Sequence, residues 1–473
     1  MKVKIEDIKV DYNIYPRQSK SNKTIEAYLE SLSAGAEFPA IKLQKVIYNG
    51  QQENILLDGL HRIEAFRNAG RKEIEAVFWK DEILDKEKEL NILRLYAGFC
   101  NAKHGDRISQ PDKKFTARRI ANDDPDEVIK EKEMAEKLNV SQSTISDWIS
   151  DIRARQKASR NNLIYRLLFL GWTQEEIAEK TGLDQSSISK IMNNTEIGKI
   201  HNFLQDWLNK GKTVAQAAEK LEIDETLAWA FLLQKKDDDT RVNKLKIEHR
   251  AYTVWNFAGC HKLMGRDDFK GRIPGEIPFN FLYWFTKQGD LIVDPMAGSA
   301  PTVDACLLLN RKCKAFDLNP VRPEIEKNDI LNGYPEIQKP PDAIFVDPPY
   351  WCSTDYREGL SSLFLDEFYE AIEKFAQDSF VLLKPKGYIG IIMANQSTYI
   401  PKKQGRLPQN YPSHRLEHIF MTYNLFIKAG FKPYWRIYCP LSIQNAQDWA
   451  QNEWKEGRLG EICRELLIFR KEI

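Results

Sequence analysis

Apolar positions along the chain change rhythm twice. Residues 1 to about 95 alternate short apolar runs with polar turns. From there to about 245 the pattern is that of nearly continuous short helices, and beyond it strand and helix alternate again with aromatics between them. The seam between the second and third blocks is "QKKDDDTRVNKLK", a charged stretch with no apolar face that suits a linker or a solvated helix end. In the third block "GDLIVDPMAGSAPTVDACLLLNRKCKAFDLNP" (Gly289 to Pro320) predicts strand, Gly-containing loop, helix, strand and a terminal acid. Further on, Ile344, Phe345 and Val346 of "IFVDPPYW" predict the end of a buried strand, which Pro348 and Pro349 stop by removing backbone donors and fixing φ. "LLKPKGYIGIIMA" (Leu382 to Ala394) then predicts a turn and buried strand, and "LEHIFMTYNLFIKAGF" a helix. "KPYWRIYCP" and "ELLIFRKEI" are expected to form a closing antiparallel pair.

The middle block repeats itself. "MAEKLNVSQSTISDWI" from Met134, "IAEKTGLDQSSISKIM" from Ile177 and a worn "AAEKLEIDETLAWAFL" from Ala217 align on Val140, Leu183 and Ile223, at spacings of 43 and 40 residues. Each copy places a small Ala (Ala135, Ala178, Ala218) five residues before the apolar anchor. That is helix, tight turn, helix: the Ala admits a close crossing and the anchor plugs the corner. Ser141, Gln142, Ser143 and Thr144, and in the second copy Asp184, Gln185, Ser186, Ser187 and Lys190, fall on the second helix, most of them at its start. That is where helix-turn-helix proteins contact bases and phosphates. Packing has no need of these polar residues, so DNA contact is expected of the first two copies. The third offers Glu225, Leu227 and Trp229, which suit packing.

Composition narrows the classes. At 473 residues the chain predicts two or three domains. With 69 basic against 68 acidic residues and a net charge of +1, any DNA surface must be local. No run of about 18 apolar residues occurs and "MKVKIEDIKV" lacks the apolar core of a signal peptide, so the expectation is a cytoplasmic protein without membrane contact. Seven cysteines without a C-x-x-C pair predict buried thiols, with neither disulfide nor metal site.

The chemistry concentrates in the third block. Asp294 and Asp317 end successive strands, Gly298 allows a ligand close approach, and the 23 residues between the two acids match the gap of roughly 20 that puts a carboxylate on ribose hydroxyls. Asp347 and Tyr350 stand at the exit of another strand, where ligands bind in open parallel sheets. Together, "DPMAGSAPT" and "DPPY" resemble the motifs of amino-DNA methyltransferases that use S-adenosylmethionine, over residues 250–473. The resemblance implies an α/β Rossmann-like domain, cofactor contacts from Asp294, Pro295, Ala297, Gly298 and Ser299, ribose contact from Asp317 and adenine contact from Asp329. It also implies packing of "GEIPFNFLYWFT", including Pro278, over the methionine end, and a catalytic set of Asp347, Pro348, Pro349 and Tyr350. Ala300 stands where the family usually has its last Gly. "DPPY" goes mostly with N6 of adenine in that family, leaving N4 of cytosine as the near alternative. An inactive DNA-binding regulator and an RNA substrate are the further ones.

In the first block "YPRQ" and "LLDGLHRIEAFRNAG" predict a strand, an Asp-Gly turn and a helix start with an anion nest. With the repeats that follow, residues 1–120 resemble the ParB/sulfiredoxin-like α+β domain. That resemblance implies nucleotide contacts, to CTP, from Gly59, His61 and Arg62 with Arg17 beside them, and a homodimer. "NAKHG" (Asn101 to Gly105) replaces the second nucleotide motif of such proteins. The expected plan is therefore multidomain: ParB-like 1–120, an all-α helix-turn-helix block 121–245, and methyltransferase 250–473, with double-stranded DNA as partner. The basic, proline-rich "YIPKKQGRLPQNYPSHR" (Tyr399 to Arg415) is expected to lie against the DNA backbone.

Overall fold

The computed structural model describes residues 1–17, 19–103, 108–269, 271–351, 358–398, 401, 405–408, 410–411, 415–440 and 463–472. Most of the Tyr399–Arg415 stretch and the end of "NAKHG" lie outside them. The chain forms two compact units, 1–158 and 159–473.

The first unit opens with β1 (Lys2–Lys4), β2 (Ile8–Lys9), α1 (Asn22–Ser33), β3 (Ile41–Tyr48), β4 (Gln51–Asp58), α2 (Leu60–Asn68), β5 (Glu73–Phe78) and β6 (Leu84–Asp85). The strands join in one sheet in the order β1-β5-β3-β4-β2, with β6 on β3. β3 and β4 meet through Asn49-Gly50, both at positive φ, which matches the twist of an antiparallel pair. Helices α3 (Leu90–Lys103), α4 (Gln110–Asn122), α5 (Glu131–Leu138) and the beginning of α6 (Gln142–Phe169) complete it. Leu95, Ala117, Ile120, Met134, Ala135, Leu138, Ile145 and Ile149 form their common core.

The second unit takes the rest of α6, then α7 (Gln174–Thr181), α8 (Gln185–Ile191), α9 (Asn194–Asn209), α10 (Val214–Leu221), α11 (Glu225–Leu233), α12 (Asp238–Leu245) and α13 (Glu276–Phe285). β7 (Leu291–Asp294), α14 (Pro301–Leu309), β8 (Lys312–Asp317), β9 (Ile325–Lys327), β10 (Ala343–Val346), α15 (Leu365–Leu382) and β11 (Tyr388–Ala394) follow. The last elements are β12 (Gln396–Ser397), β13 (Arg415–Leu416), α16 (His418–Lys428), β14 (Lys432–Pro440) and β15 (Cys463–Arg470). The main sheet runs β14-β15-β11-β10-β7-β8-β9. β7 to β11 are mutually parallel, and β15 is antiparallel to both neighbours, which is the predicted closing pair. Alternate residues serve opposite faces. Ala343 and Phe345 pack towards α13 and α14, Ile344 and Val346 towards α15 and α16.

All three repeats are helix–turn–helix in shape. Asn139, Gly182 and Glu222 each take the left-handed conformation at the end of the first helix, followed by the anchors Val140, Leu183 and Ile223. They do not form a block of their own, as residues 121–245 had been expected to. The first copy shares the core of α3 and α4, whereas the second and third pack into the apolar layer that also holds α13 and α14. In the third copy Leu227 is fully buried and Glu225 pairs with Lys262 at 2.7 Å, the packing role its residues suggest. Polar groups tie the second copy to the sheet: Leu170 O accepts from Cys313 N at 2.9 Å, Trp172 Nε1 donates to Cys313 O, and Lys314 pairs with Glu176 at 2.7 Å.

Candidate active site

The strand order reverses between β7 and β10: from β7 the chain proceeds outward to β8 and β9, then returns to β10 on the other side. Ligands of open α/β sheets sit outside the carboxyl ends of strands at such a point. A cleft of about 640 Å³ opens there, a size ordinary for a cofactor or small-molecule site. Asp294, Pro295, Met296, Ala297, Gly298 and Ser299 line it from the loop after β7, Asp317 from the end of β8, and Asp329 from beyond β9. Asp347, Pro348, Pro349 and Tyr350 line it from the exit of β10. The structure thus brings together every expected cofactor and catalytic residue except Pro278. Pro278 is buried in α13 and does not line the cleft. The segment before that helix does so instead, through Phe269, Gly271, Arg272 and Ile273.

Local hydrogen bonds shape the loop. Asp294 Oδ1 accepts from Met296 N at 3.1 Å, and Asp317 Oδ2 accepts from Gly298 N at 2.8 Å, so the second acid holds the loop of the first. Ala300 sits at φ 71°, a conformation that favours glycine, and starts α14. Burial pushes the Asp294 carboxyl up to about 7, with Asp317 and Asp347 adding like-charge repulsion. Asp347 is likewise pushed up to about 7 by burial, against the pull of Arg464 and a hydrogen bond from Tyr350, whose hydroxyl lies 3.5 Å from Oδ1. Asp329 Oδ1 accepts from Leu331 N at 3.1 Å. Trp351 is fully buried among the α15 and α16 side chains and donates to Leu363 O at 2.8 Å, so it belongs to the core and not to the cleft.

Residue types alone did not reveal one contributor. Arg464, on β15, lines the cleft beside Asp347; its signal was a charged pair, Arg464-Glu465, opening an apolar strand. Ser299 Oγ, in the cofactor loop, is buried without a hydrogen-bond partner. A cleft lined by five carboxylates, those of Asp294, Asp317, Asp329, Asp347 and Glu358, and one unsatisfied hydroxyl suits a ligand that carries positive charge together with hydroxyl groups. S-adenosylmethionine, with its sulfonium, amino group and ribose, has that character.

Residues 169–327 match the family model of a DNA methylase, of the N6/N4 methyltransferase kind. The match supports a DNA methyltransferase and does not distinguish N6 of adenine from N4 of cytosine. It covers the cofactor loop and Asp317 and ends before Asp347. No curated protein matches the chain. Among solved structures, TrmN from Thermus thermophilus shares 15% identity over 43% of this chain and 50% of its own, with a TM-score of 0.25. Phosphoethanolamine N-methyltransferase 2 from Haemonchus contortus, in complex with S-adenosyl-L-methionine, shares 13% over 42% and 52%, at 0.27. Truncated ParB from Caulobacter crescentus, complexed to the centromeric parS site, shares 14% over 47% and 98%, at 0.22. The chain spans about half the length of the first two.

The expected DNA-contacting side chains are surface-exposed or half-buried, and the structure gives many of them a local role. Ser141 Oγ accepts from Thr144 N at 3.1 Å and is within 2.8 Å of Ser143 Oγ. Asp184 accepts from the hydroxyls of Ser186 and Ser187 and from Ser187 N, while Gln185 donates to Glu175 at 2.7 Å. Packing does not need them, as expected, but capping does, which removes the argument that only DNA accounts for them. Gln142 and Lys190 are exposed.

In the first unit Gly59 takes φ 110° at the start of α2, as the nest requires. The nest's groups are engaged within the fold. Leu60 N donates to Tyr15 Oη, and His61 Nε2 accepts from Ser21 N at 3.1 Å. Arg62 binds the Asp58 carboxylate at 2.6 Å and the carbonyls of Pro39 and Ala40. Arg17 lies close enough to Tyr15 to act on it electrostatically. None of the matches bears on CTP. Among the described residues no cluster suited to a metal ion occurs and no helix is long and apolar enough to cross a membrane.

Proposed function

We propose that this protein is a DNA methyltransferase acting on an exocyclic base amine, N6 of adenine before N4 of cytosine, with its helix-turn-helix copies docking double-stranded DNA. The observation that carries the reading is the convergence of the Asp294–Ser299 loop, Asp317 and Asp347–Tyr350 on one cleft at the reversal point of the sheet.

When bound, S-adenosylmethionine supplies an electrophilic methyl group on sulfur. Asp294, Gly298, Ser299, Asp317 and Asp329 are the residues that would hold it. The protein's own work is on the amine, whose lone pair is delocalised into the ring. The Asp347 carboxylate and the Pro348 carbonyl accept its two N–H groups, drawing nitrogen towards tetrahedral geometry and freeing the lone pair. The prolines fix this acceptor pair, since neither has φ freedom. A base inside a duplex cannot reach a floor so deep, so it must leave the stack, and Tyr350, half-buried at the cleft, offers the face for it.

Incubation of the protein with S-adenosylmethionine and mixed-sequence DNA, nucleoside digestion and mass spectrometry tests this. N6-methyladenine is the expected product, and N4-methylcytosine would move the assignment to the alternative base. Neither product from DNA, with methylated tRNA in a parallel incubation, would transfer the reading to RNA. Cofactor binding with no product from either would leave the DNA-binding regulator.

A further inference from the structure

β15 runs against β11, so its beginning, not its end, lies at the carboxyl edge of the parallel strands, and Arg464 pairs across from Ala394, the last residue of β11. A cation is thereby delivered to the rim where the acids gather. Arg464 is nearly buried, its Nε faces the Cys439 carbonyl at 3.4 Å, and it lines the same cleft as Asp347 and Tyr350. It acts electrostatically on both Tyr350 and Asp347, and the Tyr350 hydroxyl in turn lies 3.5 Å from Asp347 Oδ1. A guanidinium is always charged and weakly hydrated, hence suited to this burial. The other ionisable groups acting with Asp347 are Tyr350 on its own loop, Asp294 on β7 and Cys439 on β14.

We propose that Arg464 is the positioning residue of the methyl-transfer centre: it is the cation that the start of β15 sets into the cleft beside Tyr350 and Asp347, and its charge favours the Asp347 carboxylate as acceptor of the base amine. This rests on the reading of Asp347 as amine acceptor. Without Arg464 the buried carboxyl keeps only Tyr350 to favour its anion, so it takes up a proton at higher pH and stops accepting.

The test compares Arg464→Met and Arg464→Lys with the wild type in single-turnover methylation of DNA from pH 6 to 10. A neighbouring opposite charge shifts a carboxyl by about one to three units. Arg464→Met should therefore move the rising limb up by that amount, lowering the rate at pH 7 by roughly 5- to 500-fold, with recovery at high pH and S-adenosylmethionine affinity unchanged. Arg464→Lys should keep the limb in place. A readout independent of activity is thermal unfolding against pH. The loss of stability with rising pH should extend to higher pH in Arg464→Met, and the difference should vanish when Asp347→Asn is present in both. An unshifted limb, a shift that persists in the Asp347→Asn background, or weakened cofactor binding with an unchanged rate would each overturn the proposal. If Arg464→Met does not fold, a shift of a full unit in Arg464→Lys overturns it. Should Asp347→Ala still methylate DNA, the functional reading fails, and the unfolding comparison still decides whether Arg464 and Asp347 are coupled.

Discussion

Asp317 offers the sharpest check on the cofactor half of the cleft, because its carboxylate already has two tasks before any ligand arrives. Oδ2 accepts from Gly298 N at 2.8 Å and Oδ1 from Asn319 N at 2.9 Å, which leaves further lone pairs on both oxygens for ribose hydroxyls. Asp317→Asn keeps the shape and one acceptor oxygen but turns the other into an NH2 group. Whichever way that amide turns, one backbone N–H faces a donor and loses its partner. A hydrogen bond to a charged group contributes about 1.5–3 kcal/mol. The ligand-free variant should therefore lose about that much unfolding free energy, measured by denaturant titration. The ribose contact weakens by an amount of the same kind, so the S-adenosylmethionine Kd from titration calorimetry should rise about 10- to 150-fold. DNA affinity without cofactor should not change, since the bonds that Asp317 makes, to Gly298 N and Asn319 N, lie within the cofactor half of the cleft. A folded Asp317→Asn protein that binds the cofactor as tightly as the wild type would refute both the ribose assignment and the idea that this acid holds the Gly298 loop.

Asp347→Ala should lower methyl transfer by at least about a hundredfold while leaving cofactor affinity intact, a loss of the size seen when one preorganised polar partner is removed. The pH dependences of activity and stability should oppose each other: with Asp347 held near 7, the rate climbs as pH rises through about 7. Its contribution to stability is complete below the unfolded carboxyl value and is lost as pH rises through about 7. Asp294 carries the same sign, so Asp347→Asn should flatten the rate profile but only part of the stability profile. In the third repeat, Glu222 is exposed at φ 55°, so Glu222→Gly should raise the unfolding free energy of the second unit by about 0.5–1 kcal/mol; an unchanged or lower midpoint would refute the strain. For the second repeat, Lys190→Glu should weaken duplex binding and make it less salt-dependent in fluorescence anisotropy. Equal binding would remove that helix from the DNA surface.

How far the sequence could be read depended on whether a feature was local or needed the sheet to assemble it. The Asp294 loop, the second acid at Asp317 and the proline-locked exit at Asp347 were legible because each is a strand end followed by its own turn chemistry, and the parallel sheet brings strand ends together whatever the register. The three helical hairpins were legible for the same reason, since an Ala, a plugged corner and a polar helix start all fall within one turn. What misled was the polar start itself: Ser141, Asp184 and their neighbours look free in a linear reading, and only the helix geometry shows that their oxygens serve backbone N–H groups. The block boundaries were misread because the second and third hairpins resemble the first in sequence but bury their apolar faces against the sheet layer. Arg464 was out of reach for a stronger reason. Of the acids nearest it in sequence, Glu461 and Glu465, the second is placed on the opposite face by the alternation of the strand and pairs with Arg436. Its partner in the cleft is more than a hundred residues away, and only the reversal of β15 against β11 puts the start of that strand at the edge where Asp347 stands. A parallel strand in the same place would have delivered its last residues, Ile468 to Arg470, to the cleft. The antiparallel closing pair, read from the sequence as a structural ending, therefore determines which side chain joins Asp347 in the cleft.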